Sequence, residues 1–191
     1  MKRTYRMSNY FPVQLKESKD DNACLLYQKV MSRRFPSSEP LVYTDANDLK
    51  SERLGKDAYF LLNGERNDVQ FKLRRSTYCG DYQHPVIAIE SHHVYTDGRP
   101  DKPGWARDDL SIKYLVYIQG VDKWDMCFPW DRLKALIAAN LDTEWGRYSW
   151  GKAPNGPNPD APSYHTWNKL VPIGEFYGIH EGEFQLHGFG L

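Results

Sequence analysis

The dipeptide Asn63-Gly64, set between two apolar segments, constrains the fold of this chain more than any other feature of its sequence. Asn-Gly is a preferred pair for a two-residue β-hairpin turn, because both positions must adopt positive φ. The segment 57–62 before it is rich in β-forming residues, and the segment 68–74 after it alternates between polar and apolar side chains. Such alternation places the apolar side chains on one face of a strand. The sequence therefore predicts an antiparallel hairpin.

The same turn predicts which residues oppose each other across the hairpin. The residues that flank a two-residue turn pair with each other, and counting five further residues along each strand places Asp57 opposite Gln70. Directly opposed residues share a face of the sheet. Asp57, Gln70 and Lys72 are therefore expected to project from one side, with Arg74 further along. A solvated outer face of the sheet is the alternative interpretation of this polar row.

The rest of the chain predicts an α/β fold, in which a mixed β-sheet core is flanked by helices. Apolar residues at helical spacing indicate helices, and short apolar runs between turn residues indicate strands. The predicted elements are, in chain order, a helix over 18–34, the hairpin, a buried strand over 84–90, a polar loop over 91–112, strands over 113–120 and 123–130, and a helix over 132–140.

No repeat or clean linker divides the sequence, so a single α/β domain with additions at both ends is expected. Residues 1–17 are polar with scattered aromatic residues and predict an irregular N-terminal arm. Residues 18–141 form the predicted core. Residues 142–191 are rich in Pro, Gly and Trp and predict an irregular tail packed on that core.

The polar row of the hairpin has the donor atoms of a divalent-cation site. A carboxylate from Asp57 and an amide oxygen from Gln70 suit Mg²⁺, which prefers oxygen ligands and keeps several waters. Lys72 lies two residues further on, where an ammonium group can orient an attacking hydroxide or offset charge on a phosphate. A second carboxylate is expected from Glu90, at the end of the buried strand, or from Asp20, on the apolar stripe of the first helix.

Asp57, twelve intervening residues and then Gln70-Phe71-Lys72 resemble the motif of the PD-(D/E)XK nuclease superfamily, which has the restriction-endonuclease-like fold. The segment PGWARDDLSIKYLVYIQG, over 103–120, is similar to the part of phage-type and resolvase-like members where Gly-Trp precedes an apolar strand. The resemblance covers roughly residues 18–140. It implies a nuclease-like core and a Mg²⁺-dependent deoxyribonuclease, in which Mn²⁺ can substitute.

The resemblance also implies roles for individual residues. Asp57, Gln70 and Lys72 would be the catalytic residues, and Asp57 and Gln70 would hold the metal with Glu90 or Asp20. Asp57→Ala is expected to abolish cleavage and to leave the fold intact. The sequence departs from the motif at Gln70, where Glu is commoner and would add a negative charge. It departs again at Lys56, which precedes Asp57 in place of the family's proline.

DNA is the expected partner, and its contacts must come from local patches. The chain has 25 basic and 25 acidic residues, so bulk electrostatics cannot hold it on DNA. Arg74 and Arg75 flank the predicted site and suit phosphate contacts. Trp105 and Arg107 lie in a loop that combines cations with an aromatic ring and are expected to contact DNA as well. Cutting both strands calls for two active sites, which is compatible with a homodimer.

An inactive nuclease-like fold is the alternative function. It would act as a module that binds nucleic acid or a protein partner, for example as a phage accessory or anti-defence protein. The neutral net charge and Gln70 favour this alternative, and the Trp-rich tail would supply the partner surface. The consecutive pair His92-His93 is expected to lie in an exposed loop and not at a transition-metal site.

The cysteines and the hydropathy pattern predict a cytoplasmic protein without a membrane span. The three cysteines are far apart and form no CxxC pair, so neither a disulfide framework nor a zinc site is indicated. No run approaches the roughly 18 apolar residues of a spanning helix, and the first residues lack the apolar core of a signal peptide.

Overall fold

The structure, a computed structural model, divides into two compact units, each assembled from separated stretches of the chain. The first unit comprises Met1–Asp20, Tyr78–Asp108 and Ile137–Glu175, and the second comprises Asp21–Thr77, Asp109–Leu136 and Phe176–Leu191. The structure describes residues 21–44, 48, 51, 54–74, 86–119, 124–155, 163–180 and 185–186. The predicted core of 18–141 therefore contributes residues to both units.

A six-stranded sheet and a helix form the second unit, and they confirm the predicted mixed α/β class. The helix is α1 (Asp21–Arg34), and the strands are β1 (Val42–Tyr43), β2 (Ala58–Leu62), β3 (Glu65–Arg74), β6 (Tyr114–Gln119), β7 (Trp124–Pro129) and β10 (Gln185–Leu186). The sheet has the order β1-β2-β3-β6-β7-β10. Strands β3 and β6 are parallel, and the other neighbouring pairs are antiparallel.

The hairpin of β2 and β3 has the predicted turn and register. Asn63 and Gly64 adopt φ values of 54° and 78°, the positive pair that a two-residue turn of this type requires. Leu62 pairs with Glu65, and the ladder continues in the same register to Ala58 and Val69. The predicted register is therefore confirmed, because it depends on a local turn whose two residues suit the backbone geometry.

Helix α1 packs its apolar stripe on one face of this sheet. Tyr27 stacks on Phe71 of β3, with ring centroids 4.1 Å apart and planes 7° from parallel. Burying a large apolar side chain contributes about 1.5–3 kcal/mol, so this layer supplies much of the stability of the second unit. Its buried members are Ala23, Tyr27, Val30, Met31, Leu41, Ala58, Phe60, Val69, Phe71, Val116, Ile118 and Cys127.

A buried ion cluster lies in the same layer. Asp125 of β7 is fully buried, and its carboxylate accepts hydrogen bonds from Arg33 and Arg34 in the last turn of α1. Arg34 donates through Nε at 2.9 Å and Nη2 at 2.6 Å, and Nη2 also donates to the Asp125 carbonyl oxygen at 2.9 Å. The two cations offset the desolvation of the buried carboxylate and bind the helix end to the sheet.

The first unit contains a separate four-stranded sheet with the order β5-β4-β9-β8. Its strands are β4 (Val86–Tyr95), β5 (Lys102–Pro103), β8 (Trp150–Asn155) and β9 (Tyr164–Pro172), all antiparallel to their neighbours. Two expectations require correction. The buried strand continues through part of the predicted loop to Tyr95, and the predicted irregular tail supplies two strands of this sheet.

A β-bulge interrupts the pairing of β4 with β9. Glu90 pairs with Asn168 and His92 pairs with Trp167, so Ser91 is the extra residue on β4. Consecutive residues of β9 point to opposite faces, and the bulge therefore sends Glu90 and His92 to opposite faces of the sheet. The expected loop position of His92 and His93 is wrong, since both lie in β4 and are half-buried.

The second helix, α2 (Trp130–Asn140), follows β7 directly. Leu133 and Ile137 are 1% and 2% exposed and lie one turn apart on its buried side. In the described part of the chain, α1 and α2 have 14 and 11 residues, and no helix is long and apolar enough to cross a membrane.

Candidate active site

Asp57 lies one residue beyond the end of the β2–β3 ladder. Its backbone N–H donates to the Val69 carbonyl at 3.0 Å, and its carboxylate Oδ2 accepts the Phe71 N–H at 2.7 Å. Strand β3 extends past β2 at this point, so the carboxylate takes an N–H that a longer β2 would have paired. The paired register ends at Ala58 and Val69, and the second bond attaches the Asp57 carboxylate to the residue next to Gln70 in the chain. The predicted shared face of Asp57 and Gln70 stays a prediction.

Gln70 is a buried polar residue with an unsatisfied oxygen. Its side chain is on the β3 face opposite to the α1 layer, and the residue is 8% exposed. Oε1 is buried and accepts no hydrogen bond from any part of the chain that the structure describes. Leaving such an acceptor unpaired costs about 1–3 kcal/mol. This oxygen is therefore a candidate ligand for a bound cation.

The surroundings of Gln70 are shaped by a glycine and two leucines. Leu115 of β6 is its neighbour in the sheet. Gly55 adopts φ of 74°, and a Cβ atom there would lie 3.0 Å from Gln70 Nε2 and 2.9 Å from Leu110 Cδ2. Glycine is thus required both by the positive φ and by the close approach of the loop to the amide.

Charged side chains continue along the same face of β3. Asp68 accepts a salt bridge from Lys56 at 2.8 Å and another from Arg66 at 2.8 Å. Lys72 is half-buried and is the sheet neighbour of Tyr117 on β6. Alternation along β3 therefore places Asp68, Gln70 and Lys72 on one face, with basic groups beside the acid and beyond the amide.

The oxygen atoms of Asp57 and Gln70 are of the type that a hard divalent cation prefers, since Gln70 Oε1 is an unpaired acceptor and Asp57 is a carboxylate. Among the residues that the structure describes, no three His, Cys, Asp or Glu side chains group as metal ligands. Asp20 lies outside the described residues.

Glu90 belongs to the first unit, where it lies on the sheet face that includes Asn168. Its Oε1 is 3.3 Å from His93 Nε2 and accepts the Trp105 N–H at 3.4 Å. A Cβ at Gly104 would lie 2.5 Å from the Glu90 carbonyl oxygen, so the loop after β5 can approach this strand only with glycine there. Its predicted role as a metal ligand remains a prediction.

His93 connects Glu90 to a buried polar network. Its Nδ1 is 3.2 Å from Thr166 Oγ1, which accepts the Asn155 side-chain N–H at 2.8 Å. Both ring nitrogens of His93 therefore have a polar partner, with Glu90 at Nε2 and Thr166 at Nδ1. Burial, followed by the negative charge of Glu90, raises the pKa of Tyr164 on the same face to about 12.

The residues predicted to contact DNA have different environments. Trp105 is 3% exposed, which leaves its ring little surface for a base or phosphate. Arg107 donates to Asp142 at 2.7 and 2.9 Å and to Ser91 at 3.0 Å, so a phosphate would compete with an existing ion pair. The backbone of Arg74 is in β3, and Arg75 lies outside the described residues.

Sequence reasoning missed a group of aromatic and basic side chains on the four-stranded sheet. They share the face opposite to Glu90, and we call this group the stacking face: His92, Trp150, Lys152, His165 and Trp167. The alternation of residues over 164–170 carries the signal, because every second side chain is His, Trp or Lys. Because residues 142–191 were predicted to be an irregular tail, this strand alternation was not recognised.

No family model matches the chain, and no curated protein matches it. Among solved structures, the chain is similar to the bacterial homing endonuclease I-Ssp6803I. The two chains are 18% identical, the alignment covers 64% of this chain and 72% of that chain, and the TM-score is 0.40.

Proposed function

We propose that this protein is a metal-dependent deoxyribonuclease that hydrolyses DNA phosphodiester bonds with Asp57, Gln70 and Lys72. The observation that carries the proposal is the buried, unpaired Oε1 of Gln70, together with the Asp57 carboxylate, which accepts the N–H of the adjacent residue Phe71. A divalent cation would satisfy that oxygen and would be attracted by the carboxylate. Mg²⁺ is the proposed ion, because it accepts oxygen ligands and retains waters in its remaining positions.

A bound divalent cation would supply Lewis-acid polarisation of the phosphate and a more acidic water. The chain's own residues would hold and orient the reactants. Asp57 and Gln70 would fix the ion at the end of the hairpin ladder. Lys72, on the same face of β3, would donate to a phosphate oxygen or to the attacking water. Waters would occupy the remaining coordination positions of the ion.

The resemblance also motivates finer proposals on partners and location. DNA is the proposed substrate, with Arg74, Arg75, Trp105 and Arg107 as contacts, and Mn²⁺ would replace Mg²⁺. A homodimer would bring two sites to the two strands, and the cytoplasm is the proposed location. Contact through Trp105 would require its indole to leave a buried position, because the ring is 3% exposed.

The test must separate the negative charge of Asp57 from the hydrogen bond that its carboxylate accepts from the Phe71 N–H. Asp57→Ala would remove the acceptor of the Phe71 N–H as well as the charge, so its expected loss of cleavage would combine a structural effect with the loss of charge. A hydrogen bond to a charged group contributes about 1.5–3 kcal/mol. Asp57→Asn keeps an oxygen acceptor and removes the charge, and exposed Asp131→Asn is the matched control.

Cleavage of linear, supercoiled and four-way-junction DNA would be measured with Mg²⁺, with Mn²⁺ and with chelator. We expect metal-dependent cleavage that Asp57→Asn abolishes and Asp131→Asn leaves unchanged. Lys72→Gln should lower the rate by about 10²–10⁴-fold, the contribution of a positioned proton donor. Exposed Lys29→Gln is its control. Undiminished cleavage by folded Asp57→Asn would refute the assignment.

The inactive binding module is the second candidate, and the Phe71–Asp57 bond favours it. That bond gives the carboxylate a structural role at the strand end. In this case the wild-type protein would cleave no DNA, and millimolar Mn²⁺ would leave its thermal stability unchanged. A nuclease site would instead gain stability by mass action, because the folded state alone binds the ion.

A further inference from the structure

The stacking face combines rings and cations across three adjacent strands. His92, Trp167 and Lys152 are direct neighbours in one row across β4, β9 and β8. His165 lies two residues from Trp167 on β9 and therefore shares its face. Trp150 lies two residues before Lys152 on β8 and is 42% exposed, an unusual position for an indole in a globular protein.

The rings are arranged as a connected aromatic surface. His92 and Trp167 have ring centroids 6.2 Å apart and planes 8° from parallel. Trp150 is nearly perpendicular to both, with centroid distances of 6.4 Å to Trp167 and 6.1 Å to His92. Both His92 and Trp167 are half-buried, so their contacts with each other leave part of each ring accessible.

The charged side chains that β4, β8 and β9 place on this face have one sign. Lys152 is exposed, and its Nζ lies 5.7 Å from the centroid of Trp167. Lys169 continues the same face at its buried end, where Nζ lies 4.4 Å from the Trp150 centroid and donates to the Gly146 carbonyl at 3.3 Å. Glu90 is the one carboxylate in β4, β8 and β9, and it points to the opposite face. The face therefore suits a polyanion.

We propose that the stacking face binds single-stranded nucleic acid, with Trp150 and Trp167 stacking on bases and Lys152 contacting phosphate. Bases expose their π-faces only when they are unstacked, and aromatic side chains on a sheet bind them without sequence preference. A neutral sugar would stack on the indoles but would offer no negative charge to the exposed Lys152. Duplex DNA would offer phosphates but would keep its bases stacked.

This inference does not depend on the proposed cleavage, because every residue of the stacking face lies in the first unit, whereas Asp57 and Gln70 lie in the second. Binding can therefore be measured in chelator, where no metal-dependent reaction takes place. The Asp57→Asn variant should bind single strands as the wild type does. Loss of cleavage with retained binding in this variant would support the inference. It would also show that binding of single strands does not require the charge of Asp57.

The test is fluorescence anisotropy of a labelled oligothymidine, compared with a duplex of equal length. We expect tighter binding of the single strand, and Trp150→Ala or Trp167→Ala should weaken it about tenfold or more. Trp150→Phe keeps a ring and should retain most of the affinity. Lys152→Gln should reduce the salt dependence by about one counterion. Tyr177→Ala, which removes a 51% exposed ring of the second unit, is the control and should have no effect.

Three results would overturn the inference. One is unchanged affinity in Trp150→Ala, whose exposed ring can be removed without opening the interior. Another is equal or tighter binding of the duplex, which would indicate phosphate contacts alone. The third is binding of a neutral oligosaccharide by the wild type without any binding of the oligothymidine.

Discussion

The unpaired oxygen of Gln70 leads to a quantitative prediction: Gln70→Leu should stabilise the metal-free protein. In chelator, Oε1 is buried and no described residue donates to it, so the folded state carries its desolvation cost. Leucine has a similar volume and would lie beside Leu110 and Leu115, which already surround this position. The substitution replaces an unsatisfied polar group by an apolar contact.

The expected gain can be bounded from these contacts. Removing a buried unpaired acceptor should raise the free energy of unfolding by about 1–3 kcal/mol, and losing the amide N–H₂ should lower it by about 1 kcal/mol. A net gain of about 1 kcal/mol corresponds to a rise in Tm of about 2–4 °C for a chain of this length. The metal should act in the opposite direction. At a free concentration of about ten times Kd it stabilises the wild type by about 1.4 kcal/mol.

Thermal and urea unfolding of wild type and Gln70→Leu, each with chelator and with Mn²⁺, provides the measurement. We expect the variant to be the more stable protein in chelator and to gain nothing from Mn²⁺. Gln28→Leu is the matched control, because the Oε1 of Gln28 accepts the Leu41 N–H at 2.9 Å and its loss should destabilise. A less stable Gln70→Leu protein in chelator would show that Oε1 is paired in solution. An equal gain from Mn²⁺ would exclude Gln70 as a ligand.

Three further predictions concern stability. Asp125→Ala should lower the free energy of unfolding in urea by about 3–5 kcal/mol, because it leaves the buried guanidinium of Arg34 without its carboxylate. The double variant with Arg34→Met should recover part of that free energy. Gly55→Ala should cost about 1–2 kcal/mol through its positive φ and should also weaken Mn²⁺ stabilisation by displacing Gln70. The pKa of Tyr164 is about 12 in the folded protein, so the folded state keeps a proton that the unfolded tyrosine loses above pH of about 10. The free energy of unfolding should therefore fall as the pH rises from about 10 to 12. Urea midpoints of Tyr164→Phe, measured across this pH range, should lack that part of the decrease.

The local sequence was sufficient for the hairpin and for the helix stripe. The Asn-Gly turn sets the pairing of β2 with β3 within a few residues, so the register from Leu62–Glu65 to Ala58–Val69 could be predicted without knowing the rest of the sheet. The buried side of α1 followed from helical spacing in the same way, and Ala23, Tyr27 and Val30 are buried as expected.

Contacts between distant segments decided the rest. Strands β8 and β9 contain Pro, Gly, Asn and Lys, and their extended conformation is stabilised by pairing with each other and with β4, which begins more than sixty residues earlier. The same pairing extends β4 past Glu90 and creates the stacking face. Hairpin register depends on adjacent residues, whereas the partition of strands between two sheets depends on burial and pairing that local periodicity does not encode.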